Sequence, residues 1–77
     1  MTNEESLKEL GSRIRDKRKQ LGMTQEQLAH HAELDRSYVG GIERGERNIS
    51  FTVLCQVARA LAADVATLTI GLPGPHA

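Results

Sequence analysis

TQEQLAHHAELDRSYVGGIERGER, residues 24–47, decides the fold. Two short apolar stripes at helical spacing lie within it, a few residues apart. Thr24 is a good N-cap, and Gln27 three residues later completes a capping box. Leu28, Ala29 and Ala32 then form one apolar face. Glu33 and Leu34 carry the chain round a turn. Asp35 opens a second helix, because its carboxylate can accept from the free N–H groups of the next turn. Val39 and Ile42, three residues apart, face inward, and Gly45 is placed to end the helix in a left-handed conformation.

The second of these helices is polar on its outer side. At about 100° per residue, Val39, Ile42 and Glu43 share the inner side, and Arg36, Ser37, Gly40, Gly41 and Arg44 share the other. That outer side carries no apolar anchor. Gly40 and Gly41 each disfavour the helix by roughly 1 kcal/mol against alanine. Bare backbone there would let a bulky partner approach closely. The alternative is close packing against another helix, or a tolerated defect. Helix, tight turn, helix is the frame that presents a helix to the DNA major groove.

Outward from this centre the chain reads as helical throughout. A first helix is expected over residues 2–21, opened by a Thr2–Glu5 capping box and carrying Leu7, Leu10, Ile14 and Leu21 on one stripe, with Gly22 as its stop. The second and third helices span 24–32 and 36–44. GERNI, 45–49, is a polar loop. Ser50 caps a fourth helix over 51–62 with Leu54, Val57, Ala58 and Leu61 on its stripe, and Asp64 caps a short fifth over about 65–69. There is no repeat and no useful β-alternation. The expected architecture is all-α, five helices, one domain over 1–77. Its ordered core covers about 6–70, with a flexible tail at 73–77.

Composition narrows the function. A chain of 77 residues with no Trp must build its core from Leu, Ile, Val and Ala of several helices. The lone cysteine, Cys55, excludes an internal disulfide and fits a reducing cytoplasm. Residues 1–6 are polar and acidic, unlike a signal peptide, and no apolar run reaches the roughly 20 residues of a membrane span. His30 and His31 are adjacent and point apart on a helix, so no metal site, cofactor or small-molecule ligand is expected. Ser37 and Cys55 have no base partner near them in sequence, which leaves an enzyme without a nucleophile. Net charge is zero, a mild argument against nucleic acid. Its distribution weakens that argument. RIRDKRK, 13–19, holds five basic residues and one acid, and Arg36, Arg44 and Arg47 lie in or beside the third helix. Phosphate affinity depends on the charges that face the DNA, not on their sum.

Residues 13–61 resemble the lambda-repressor-like helix-turn-helix family of phage repressors and Cro-like regulators. RIRDKRKQLGMTQEQLA and SYVGGIERGERNIS carry the likeness. LDRSYVGGIERGERNIS is also similar to the controller proteins of restriction–modification systems. Those are small homodimers that bind operators upstream of their own gene and time endonuclease expression. The likeness implies a sequence-specific transcriptional regulator acting on double-stranded DNA. It implies that Gln25 meets a phosphate and steadies the recognition helix, and that Arg36 and Ser37 read base edges. Gly41 falls at a base-facing family position but has no side chain. Its expected contact is with the DNA backbone, and sequence information must come from Arg36, Ser37, Arg47 or DNA shape. Arg18 and Glu43 match a buried ion pair between helices one and three. A prophage-type repressor is the nearest alternative. An antitoxin or protein-interaction module is the alternative of another class, and it would need an apolar patch on the outer face of helix three.

Two further groups follow from the residues themselves. Tyr38, Arg44, Arg47, Asn48 and Ser50 are donors near the ends of helices and are expected, with Gln25, on phosphates; the alternatives are a base contact for Arg47, packing at the core edge for Tyr38 and a cap alone for Ser50. Val65, Leu68, Ile70 and Leu72 are too apolar for a short exposed terminal segment and are expected to form a homodimer interface.

Overall fold

The computed structural model describes residues 1–74 and contains five helices: α1 (Asn3–Gln20), α2 (Gln25–Ala32), α3 (Arg36–Glu43), α4 (Phe51–Ala60) and α5 (Val65–Thr69). Thr2 and Thr24 each close a capping box, with Glu5 and Gln27 respectively. Asp35 accepts from the Ser37 N–H at 3.1 Å, and Ser50 accepts from the Val53 N–H at 3.2 Å. Asp64 stands at the N-cap of α5 without a side-chain cap bond.

The first four helices end in the same way. A residue with positive φ lets the next N–H reach back across the last turn: Met23 to Arg18, Leu34 to Ala29, Glu46 to Gly41 and Ala63 to Ala58, all at 2.8–3.0 Å. Glycine supplies that conformation at 22 and 45, but Glu33 (φ 58°) and Ala62 (φ 51°) supply it at the other two ends. Without a glycine to mark it, the end of α4 falls at Ala60, two residues before the expected Ala62.

One core joins all five helices: Leu10 and Ile14 of α1, Leu28 and Ala29 of α2, Val39 and Ile42 of α3, Leu54, Val57 and Ala58 of α4, Leu61, and Leu68 of α5. Ile49 of the polar loop packs against it. Leu21, expected on the α1 stripe, lies beyond the helix and is 46% exposed. Pro73 lines a groove with Asn3, Ser6, Leu7 and Asn48 beside the start of α1, so the expected flexible tail begins against the body of the molecule. Residues 75–77 of that tail, with His76, lie outside the described residues.

Two glycines let α1 lie directly on the end of α3. A Cβ on Gly11 would stand 2.3 Å from the Ile42 carbonyl oxygen and 2.6 Å from that of Glu43. At Gly45 a Cβ would stand 2.7 Å from Lys8 Cα. Backbone therefore meets backbone at this crossing, which fixes the angle of α3 to α1. At the other end of the molecule, Arg13 donates to the carbonyl oxygens of Leu68 (3.2 Å) and Ile70 (2.6 Å) while paired with Glu9. It thereby ties the α5 segment to α1. No helix among the described residues is long and apolar enough to cross a membrane.

Candidate nucleic-acid interface

The third helix is held from behind by a buried ion pair. Arg18 Nε donates to Glu43 Oε2 at 2.7 Å and Arg18 Nη2 to Glu43 Oε1 at 3.0 Å, a two-pronged contact. Their side chains are 10% and 2% exposed. Arg18 also donates to the Met23 carbonyl at 2.8 Å, and Gln25 Nε2 donates to Glu43 Oε1 at 3.1 Å. One carboxylate thus gathers the end of α1, the start of α2 and the end of α3. Gln25, expected on a phosphate, spends its amide on steadying α3, and its half-buried side chain stands at the edge of the same surface.

Beyond this anchor, the outer face of α3 is polar. Arg36 and Ser37 are exposed at its N-terminal end. The Ser37 hydroxyl donates to the Asp35 carboxylate, which also accepts the Ser37 N–H. These bonds, the hydroxyl's first, hold the Asp35 carboxyl below its usual range. Asp35 therefore caps α3 and leaves Arg36 to Glu26, at 3.7 Å, with side chains 64% and 77% exposed. Arg44 pairs with Glu46 at 3.1 Å. Such exposed pairs are worth about 0–1 kcal/mol and are readily exchanged for a phosphate or a base.

This pairing corrects the charge reading. Arg13 and Arg18 of the basic run are committed to carbonyls and carboxylates inside the fold and present little free charge. Glu26 and Glu46 add two acids to the candidate interface itself. Nothing in the spacing of Glu26 and Arg36, on different helices, announces their contact.

The glycines of α3 are a second correction. Gly40 and Gly41 are buried, not bare. A Cβ at Gly40 would meet Arg44 Nη1 at 3.1 Å, and one at Gly41 would meet Arg47 Cγ at 2.9 Å. Gly41 lies under the Arg47 stem, and its carbonyl accepts from the Glu46 N–H, so it is not open as a backbone contact. Arg47 is exposed, with its guanidinium carbon 5.5 Å from the centroid of the Tyr38 ring. Tyr38 is half-buried against the core edge. Asn48 is exposed beside the start of α1, and Ser50 is an exposed residue engaged as the α4 cap.

The expected dimer residues separate. Leu68, 2% exposed, belongs to the core of its own chain and cannot be an interface contact. Val65 and Leu72 are partly buried against that core. Ile70 is 74% exposed, and Phe51, not singled out from the sequence, is 69% exposed. Phe51 directly follows the Ser50 cap, and its place off the α4 stripe was the available signal. Cys55 is half-buried, and His30 and His31 stand exposed with ring centroids 5.7 Å apart.

Comparison with known proteins agrees with this geometry. Residues 14–68 match the HTH_3 family model, a helix-turn-helix. The control protein C.SmaI of Serratia marcescens is 39% identical over 59 residues, which are 77% of this chain and 70% of that protein. The crystal structure of the restriction–modification controller C.AhdI from Aeromonas hydrophila superposes with a TM-score of 0.79 at 45% identity, covering 80% of this chain and 94% of that one. The controller C.Esp1396I, as a tetramer in complex with its natural 35 base-pair operator, gives a TM-score of 0.76 at 35% identity, over 82% of this chain and 83% of that one. Five helices with α2 and α3 as the paired unit, and a matching segment that spans them, identify the chain as a member of the lambda-repressor-like helix-turn-helix family of DNA-binding regulators.

Proposed function

We propose that this protein is a homodimeric, sequence-specific transcriptional regulator of the restriction–modification controller type, binding double-stranded operator DNA upstream of its own gene. The observation that carries the reading is the presentation of α3. A buried two-pronged ion pair fixes its inner side, and Arg36 and Ser37 stand exposed at the end that enters a major groove first. Arg36, Ser37 and Arg47 read base edges in this account. Tyr38, Arg44, Asn48 and Ser50 face phosphates, with Gln25 offering the second amide hydrogen that its bond to Glu43 leaves free and the N-terminus of α2 adding its dipole. The chain spans 94% of C.AhdI and 70% of C.SmaI but 41% of the immunity repressor of Bacillus phage phi105, to which it is 44% identical over 59 residues, and this match in length supports the controller assignment over a general prophage repressor. The protein is read as a cytoplasmic binding protein, not an enzyme. An interaction module would need apolar side chains on the outer face of α3, where Arg36, Ser37 and Arg44 stand instead.

The dimer is assigned to the segment after α5, centred on the exposed Ile70, which Arg13 holds in place through its carbonyl. Two-fold symmetry would set the recognition helices about 34 Å apart, one DNA turn. Selection from a random pool of 35 base-pair duplexes tests the whole reading. The expected product is a two-fold-symmetric site bound with a steep salt dependence. Failure to enrich any sequence would overturn it.

A further inference from the structure

Gly41 is an odd residue for the middle of α3, since glycine disfavours a helix relative to alanine and this one is buried rather than open. What buries it is Arg47. A Cβ built on Gly41 would stand 2.9 Å from Arg47 Cγ, 3.1 Å from Nε and 3.5 Å from Cδ. The stem therefore runs lengthwise across the missing side chain. Tyr38, three residues earlier and so on the same face, takes the guanidinium against its ring at 5.5 Å. The loop that carries Arg47 is fastened beneath it, because Gly45 N–H donates to the Ile42 carbonyl at 3.0 Å and Glu46 N–H to the Gly41 carbonyl at 2.9 Å. Arg36 and Arg44 each have a carboxylate partner on this surface, whereas Arg47 has no ion pair among the described residues. Its charge stays uncompensated while its stem is held.

We propose that Gly41 is a positioning residue: the space of its absent Cβ is the seat of the Arg47 stem. A loop arginine thereby delivers its guanidinium to the part of α3 where residue 41 would have shown its own side chain. The inference rests on the reading of α3 as a recognition helix. Holding the long side chain before binding reduces the freedom lost on the DNA. The atoms that Gly41→Ala would strike belong to the Arg47 side chain and not to backbone, so the expected response is a shift of that side chain, with the melting temperature as the check that the fold is kept. That separates this glycine from Gly11, whose neighbours are carbonyl oxygens.

The test combines the free protein with a binding cycle. In the free wild type, nuclear Overhauser contacts are expected between the Arg47 methylenes and the Gly41 α-protons, and between the Arg47 side chain and the Tyr38 ring. Gly41→Ala should lose the Tyr38 contacts while melting at the same temperature as wild type or higher. On the duplex selected by wild type, Gly41→Ala should bind roughly 5- to 150-fold more weakly, the span for losing one base-edge contact. It should relax preference at the same base pair as Arg47→Ala. The double variant should then lose no more than Arg47→Ala alone. Wild-type affinity for Gly41→Ala would overturn the proposal. So would losses that multiply in the double variant, because they would mean that the new methyl group meets DNA directly. If wild type selects no duplex, the functional reading fails and this inference with it. If wild type selects a site but the cycle shows no coupling, only the seat fails.

Discussion

Glu43→Gln should be the most destabilising conservative change in the molecule. The carboxylate accepts from Arg18 Nε, Arg18 Nη2 and Gln25 Nε2, and its side chain is 2% exposed. A glutamine keeps the shape but puts an NH2 group where a second acceptor stood, facing donors. It also leaves the Arg18 guanidinium, 10% exposed, without its counter-charge. Breaking one side of a buried pair typically costs about 3–5 kcal/mol. Met23 still accepts from Arg18, and the new amide keeps one acceptor, so the lower end, about 3 kcal/mol, applies. A domain of this length is stable by roughly 4–12 kcal/mol, so a quarter or more of the total goes. At about 4–8 °C per kcal/mol for this size, the thermal midpoint should fall by about 12–24 °C. Glu46→Gln is the internal control, since its pair with Arg44 is exposed on both sides and worth about 0–1 kcal/mol. Thermal melts followed by circular dichroism decide the matter. If Glu43→Gln melts as close to wild type as Glu46→Gln does, the ion pair is not what holds α3 in place.

Three further outcomes follow from particular contacts. Gly11→Ala drives a methyl group into two fixed carbonyl oxygens of α3 and should lose about 3 kcal/mol in urea denaturation, despite the better helix propensity of alanine. An unchanged midpoint would mean that α1 does not lie as close as described. Asp35 has a lowered folded pKa, so its cap contributes fully at neutral pH and is lost as pH falls below the ordinary aspartate value of about 3.9 and through the lowered one. Amide exchange at Ser37 and Tyr38 should accelerate over that acid window in wild type and not in Asp35→Asn, and the same profile in both would remove the cap. Ile70→Asp should turn a dimer into a monomer in sedimentation at micromolar concentration, while a wild type that is already monomeric, alone and on DNA, would refute the dimer.

The fold was legible because its signals are local. Thr2, Thr24, Asp35 and Ser50 sit at helix starts where capping chemistry places them, and the stripes of α2, α3 and α4 are the residues found in the core. Helix ends were legible at Gly22 and Gly45 but not at Ala62, whose left-handed conformation no residue type advertises. Leu68 and Ile70 read alike in sequence, and only packing shows that one closes the core while the other faces solvent. Long-range facts were hidden for the same reason. The approach of Gly11 to α3 and the Glu26–Arg36 pair each join different helices, and the folding of Arg47 over Gly41 depends on the path of the turn between them. RIRDKRK reads as a run of positive charge, but Arg13, like the Arg18 expected to pair with Glu43, is a tie within the fold.

Base reading by the N-terminal end of α3 is the central claim, and Arg36 is the residue on which it turns. Its guanidinium is exposed and, among the described residues, its ion pair is a 3.7 Å contact to an exposed Glu26, a weak competitor for DNA. Arginine is the commonest reader of guanine, through O6 and N7. The direct measurement is a titration of wild type and Arg36→Ala on the selected duplex and on each of its single-base variants, at two salt concentrations. The account predicts a loss of about 1–3 kcal/mol on the selected site, with discrimination relaxed at one base pair per half-site and unchanged elsewhere. Equal losses on every variant, with a shallower salt slope, would contradict it and make Arg36 a phosphate contact.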